Sequence, residues 1–274
     1  TSLVLVGLLC MTVLSVAAAD TTEVVTEDDV TRQVENTPPT DHWVLYTRAG
    51  TPPTAAAFDV GPGDPPLGVG SLQLTTVTGS EKVFLFNYDH VGMPLADIDA
   101  ISYATYRTTG SAQQVTALNL QVDYNGDAPG GFTTLVFEPV YNTDQGAVLN
   151  GQWQEWDAFS GKWWSTQPIN GQGAGAVVTQ MRTMSQIIAN NPDATILGGF
   201  GVNQGSGNAS LVAAVDALIL GTTDGNTITY DFEPYEVAQS KHDCKNGGWE
   251  GLTRADGSSF TNQGDCIQYV NTGK

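Results

Sequence analysis

The chain is predicted to fold as an all-β protein. The expected architecture is an antiparallel β-sandwich, jelly-roll-like, with one short helix and a small disulfide-closed C-terminal unit. Three observations predict it. Apolar and polar residues alternate with period two, segment after segment, between Trp43 and Glu233. Gly, Pro, Asn and Asp stand between the segments, where turns need them. One stretch alone, around Met184, carries helical spacing. Strand side chains point to alternate faces, so period two marks a sheet with one face on a core and the other wet.

The elements follow in order. Residues 3–16 form an uncharged apolar run, shorter than the roughly 20 residues a bilayer span needs. The run ends in small residues before Asp20, so residues 1–19 read as a secretory signal peptide. Residues 20–40 are acidic and Thr-rich and close on Pro38-Pro39; they read as a linker or an early edge segment. The sandwich is expected over residues 41–236. Residues 43–48 are β-rich, and the prolines of residues 51–66 mark a loop. Leu72, Leu74 and Thr76 share one strand face. Residues 82–87 (KVFLFN) are a solid apolar run, which suits a strand buried on both sides. Ile101, Tyr103 and Thr105, then Leu118, Leu120 and Val122, then Leu135 and Phe137 continue the alternation. Thr183 and Gln186 form a capping box ahead of a helix whose face carries Met181, Met184, Ile187 and Ile188. Pro192 ends that helix. A strand over 195–202, a Gly/Asn/Ser loop over 203–210 and a strand over 211–220 come next. In residues 227–233 (TITYDFE), Ile228, Tyr230 and Phe232 point one way. Thr229, Asp231 and Glu233 point the other, onto a solvated face.

Charge narrows the partners. Lys and Arg number 10 against 29 Asp and Glu, a net charge of −19. Nucleic acid is excluded as a partner, because its phosphates are neutralised by Lys and Arg. Anionic membrane surfaces are disfavoured on the same ground. No second apolar segment nears spanning length, so no membrane insertion is expected. If Cys10 leaves with the signal peptide, Cys244 and Cys266 remain, and an even pair in a secreted chain points to one disulfide. Closing that loop stabilises residues 241–274 by about 3 kcal/mol in the chain-entropy model.

The candidate site lies in residues 151–168, which hold Trp153, Trp156, Trp163 and Trp164, four of the chain's six tryptophans. Indole rings stack on the apolar faces of sugars. Trp163 and Trp164, beside Gly161 and Ser165, are the candidate platform, with Asp157 and Gln167 as hydroxyl partners. Trp153 and Trp156 are three apart, so in a strand at least one fills the core. Asp123, Asn125 and Asp127 occupy the first, third and fifth positions of a calcium loop, but Thr134 stands where the closing Glu belongs. Asn125-Gly126 is equally a hairpin-turn signal. A structural Ca2+ and a plain turn both fit. Glu138, Glu155, Asp157, Asp231 and Glu233 are the carboxylates a glycosidase would draw on. No H-E-x-x-H, G-x-S-x-G or phosphate-binding loop is present, and the Gly-rich stretch 199–207 reads as a hairpin-like loop.

Residues 68–74 (GVGSLQL), 214–220 (AVDALIL) and 229–233 (TYDFE) resemble the strand patterns of jelly-roll carbohydrate-binding modules. Residues 244–249 (CKNGGW) with 260–270 (FTNQGDCIQYV) resemble a C-terminal segment of secreted bacterial proteins with no assigned activity. The resemblances imply a secreted bacterial protein and carry over no catalytic residue; with no second apolar segment of spanning length, an extracellular, released or cell-wall-associated protein is expected. The expected function is non-catalytic binding of extracellular polysaccharide. A self-assembling or cell-wall-associated adhesive protein, with copies of itself as partner, is the alternative. A glycoside hydrolase or polysaccharide lyase stands third.

Overall fold

The alternating segments pair into two sheets that share one core. The computed structural model describes residues 19–39, 42–110, 113–126 and 128–274. Cys10 and the rest of the signal-peptide segment up to residue 18 lie outside the described residues, as does Asp127 of the calcium-loop reading.

In chain order the first strands are β1 (Asp20–Val25), β2 (Val30–Val34), β3 (Trp43–Thr47), β4 (Ala56–Val60) and β5 (Gly70–Thr76). β6 (Lys82–Asn87), β7 (Ile98–Thr109), β8 (Ala117–Asp123), β9 (Phe132–Phe137) and β10 (Trp153–Asp157) follow. The last are β11 (Lys162–Ser165), β12 (Arg182–Thr183), β13 (Thr195–Gly205), β14 (Leu211–Thr222) and β15 (Thr227–Phe232). The predicted helix, α1, spans Met184–Asn190. Thr183 and Gln186 close its capping box as expected.

The eight-stranded sheet runs β12-β11-β9-β8-β13-β6-β3-β2. The seven-stranded sheet is built on β14. β7 lies along one of its edges, with β10 outside it. β5 and β15 share the other, continued by β4 and β1 respectively. Pairing is antiparallel except where β1 joins β15 and β2 joins β3. Residues 20–34 are therefore edge strand, one piece on each sheet, rather than linker. Their high charge suits an edge, where charged side chains discourage pairing with other chains. β4 lies inside the stretch read as a loop. Its five-residue AAFDV sequence is too short to show alternation, and pairing with β5 makes it a strand.

Between the sheets lie Leu72, Leu74, Leu85, Leu118, Leu120, Phe137, Trp156, Trp163 and Phe200, all buried in one apolar cluster. Trp43 meets Tyr230 and Phe232 edge-on, with ring centroids 4.9 and 5.7 Å apart. One buried polar side chain bridges the two sheets. Gln204 of β13 donates to the Leu211 carbonyl of β14 at 2.9 Å and accepts from Thr116 Oγ1 at 3.2 Å. An unpaired buried amide would cost about 1–3 kcal/mol, so this bridge helps fix how the sheets meet.

The C-terminal unit has its own small cluster of Ala238, Cys244, Leu252, Phe260 and Cys266. The predicted disulfide joins Cys244 to Cys266, with Cα atoms 5.7 Å apart. A second helix, α2 (Gln263–Thr272), was not predicted. Its apolar positions are too few to show periodicity. Asn262 caps it, accepting from the Asp265 N–H at 3.0 Å, and the disulfide anchors it.

Candidate functional site

β10 and β11 divide the tryptophan stretch between the two sheets. Trp156 turns inward, and its indole N–H donates to Thr105 Oγ1 at 2.8 Å. Trp163 also turns inward. It is 0% exposed, and its N–H donates to the Ala158 carbonyl at 2.7 Å. This overturns Trp163 as a sugar platform: its neighbour Trp164 takes the outward position, and period two sends Trp163 to the core. Trp164 is half-buried on the outer face of the eight-stranded sheet, and its N–H donates to Glu138 Oε2 at 2.8 Å.

The two predicted hydroxyl partners do not join Trp164. Asp157 is exposed on β10, in the other sheet, and Gln167 is exposed beyond β11, where its N–H donates to Thr133 Oγ1 at 3.0 Å. Glu155 shares β10 with Asp157 and is likewise far in topology from the face that carries Trp164. Of the calcium-loop residues, Asp123 and Asn125 stand at a turn. Asp123 Oδ1 accepts the Asn125 N–H at 3.0 Å, and the Asn125 amide, suitably oriented, donates to the Ala128 carbonyl at 3.2 Å. Among the described residues no group of three His, Cys, Asp or Glu side chains is placed to hold a metal ion.

What Trp164 does join is a groove across the sheet. The register sets Trp164 opposite Val136, Val136 opposite Asn119, Asn119 opposite Gly201, and Gly201 opposite Phe86. Four strand spacings separate Trp164 from Phe86, about 19 Å at ~4.8 Å each. In the middle, β13 presents Gly199, Gly201, Asn203 and Gly205 outward. The glycines leave a bare floor. A Cβ on Gly199 would collide with the Phe86 ring, and one on Gly201 with the Leu85 carbonyl. Positions 199 and 201 therefore have no room for a side chain.

One half of the groove is polar. It is a depression of about 320 Å³ bordered by Trp164, Glu138, Asn119, Gln121, Asn203 and Lys82. Asn119 is 4% exposed, and its Oδ1 has no hydrogen-bond partner. Burial raises the Glu138 carboxyl above its ordinary range, and the Trp164 N–H partly offsets this. Burial likewise lowers the Lys82 ammonium, with Glu35 opposing; its Nζ sits 4.2 Å from the centre of the Phe84 ring. The other half is apolar. It is a depression of about 530 Å³ that shares Glu35, Phe84, Phe86 and Gln121 with the first. Val44, Tyr46, Phe84 and Phe86 form an apolar cluster separate from the core, with Tyr88 against it.

Sequence reasoning missed this groove. The signal was present in GGFGVNQG (198–205), where Gly at 199, 201 and 205 falls on one strand face. Read as a loop from residue 203, it concealed a strand that runs to Gly205. KVFLFN is covered on both faces as expected. One face meets the core, and the other, Phe84 and Phe86, lines the groove.

No family model matches the chain, and no curated protein or solved structure matches it either.

A second carboxylate group lies on the opposite side of the fold. Asp231 and Glu233, expected on a solvated face, are buried, and Asp216 of β14 is buried near them. The correction has a plain cause: residues 67–70 lie against these carboxylates, and residues 237–239 and Tyr269 border the same depression. Asp216 accepts the Leu67 and Phe232 N–H groups at 3.0 and 3.1 Å, and burial still pushes it up to about 6. Glu233 Oε1 accepts from Val69 at 2.7 Å and Gly70 at 3.0 Å. Burial raises Asp231, and the neighbouring charges of Asp216 and Glu233 add to it.

Proposed function

We propose that this is a secreted, non-catalytic protein that binds extracellular polysaccharide in the groove of its eight-stranded sheet. The observation that carries the reading is the polar half of that groove. A half-buried indole, amide side chains and a buried, unpartnered Asn119 Oδ1 border one trough. Sugars present apolar ring faces and hydroxyl donors together, and this lining matches both. An unmet buried acceptor is costly, and a ligand hydroxyl would satisfy it. The trough is longer than a single sugar ring, which favours an oligosaccharide stretch. The signal-peptide pattern and the disulfide support an extracellular setting.

Retention on insoluble polysaccharides and on a glycan array tests the reading. Trp164→Ala should abolish retention while far-UV circular dichroism stays unchanged. Asn119→Ala should weaken retention about tenfold, from loss of one hydrogen bond near 1.5 kcal/mol. Release of reducing sugar by the wild type, lost in Glu138→Gln, would replace binding by hydrolysis. A wild type that no glycan retains would end the proposal.

A further inference from the structure

The two halves of the groove differ in what they leave unsatisfied. In the polar half, Asn119 Oδ1 lacks a partner. In the apolar half the exposed Asn36 and Thr37 stand at the edge, and the polar groups among the recessed rings already have partners. Tyr88 OH donates to Tyr46 OH at 3.1 Å. Glu35 is paired with Arg48 at 2.9 Å, and Gln121 Oε1 accepts the Gly199 N–H at 2.8 Å. Tyr46, Phe84 and Phe86 are only 3–8% exposed, so they are recessed walls rather than flat platforms. Val91 and Leu197, 50% and 46% exposed, stand at the mouth. A bare sugar seated against those recessed rings would bury hydroxyls away from the polar groups at the edge and leave them unpaired, which weakens binding.

We infer that the ligand is a glycan bearing an apolar acyl substituent, esterified to a sugar hydroxyl. The sugar lies in the polar half, and the acyl group enters the recess walled by Tyr46, Phe84, Phe86 and Tyr88. The inference rests on the polysaccharide reading and narrows it to an acylated class. Shared walls make the two depressions one trough, so a single ligand reaches both. Each buried CH2 improves binding about fourfold, from ~0.8 kcal/mol per group. Three such groups would improve it by about 60-fold.

The test uses cello-, xylo-, manno- and β-1,3-gluco-oligosaccharides, each partly O-butanoylated so that free and acylated species compete. Species retained on the immobilised full-length chain are compared with the input by mass spectrometry. Acylated species should be enriched at least tenfold, and Leu197→Asp should bring that ratio toward one. Three outcomes would overturn the inference while leaving the polysaccharide reading in place. They are retention of free oligosaccharide without enrichment, enrichment unchanged in Leu197→Asp, and enrichment unchanged in Phe86→Leu. Equal retention of butanoylated glycerol, which has no sugar ring, would overturn it as a plain apolar site. No retention of any species would overturn both.

Discussion

Asp231→Asn tests the buried carboxylates. Asp216 and Asp231 sit close to Glu233, with no cation among the groups that shift the two aspartates. Burial disfavours the charged forms of Asp216 and Asp231, so the folded chain holds protons that the unfolded chain releases near pH 4. The folded state then binds more protons between about pH 4 and 7, and stability falls as pH rises through that window. For Asp216 alone, a displacement from 3.8 to about 6 corresponds to about 3 kcal/mol at 1.36 per unit. In a domain of this size that is roughly 6–12 °C in Tm. His90 acts oppositely on the acid side. Burial lowers its imidazole, so below its ordinary range it costs stability as pH falls. The difference between wild type and variant cancels that term. Asp231→Asn removes one titrating group and leaves Asp216, raised by burial and by the Glu233 charge, in place. Urea or thermal unfolding at pH 5 and pH 8 should show the wild type losing several kcal/mol on going to pH 8. The variant should keep about 1 kcal/mol of that loss, the part of the Asp216 titration that lies above pH 5. Parallel pH profiles for the two proteins, or a wild type that gains stability toward pH 8, would refute the reasoning.

Three further outcomes are expected. Trp163→Ala should lower stability by about 3–5 kcal/mol through a core cavity, whereas Trp164→Ala should cost far less, as denaturant midpoints will show. Gly199→Ala should displace Phe86 and reduce glycan retention with the sandwich still folded, and intrinsic aromatic circular dichroism will register the shift. Replacing Cys266 with Ser should destabilise the C-terminal unit by about 3 kcal/mol. Hydrogen exchange should then rise in α2 and not in β8 or β13.

Much of the scaffold was legible in the residues. Alternation at Leu72, Leu74 and Thr76 and at Leu118, Leu120 and Val122 named the faces that now fill the core. Thr183 and Gln186 announced α1, and two cysteines announced the bridge. These signals are local, and local signals survive in a one-dimensional string. The site was read less well. Trp164 was singled out, but paired with Asp157 and Gln167 because they are near it in sequence. Its true companions Asn119, Asn203 and Phe86 come from three other strands, and Glu138 directly follows a fourth. Neighbours across a sheet depend on strand order, which no local pattern records.

The amino-acid sequence by itself determined the β class, the helix, the disulfide and the inward face of most strands. Side-chain period and cap chemistry act within a few residues, so each could be read without knowing the fold. Tertiary structure alone decided which strands lie side by side. That order set Gly201 between Asn119 and Phe86, opened a trough there, and placed residues 67–70 against Asp216 and Glu233. A groove and a buried acid cluster are both products of long-range pairing, where contact is set by register between distant segments rather than by adjacency along the chain.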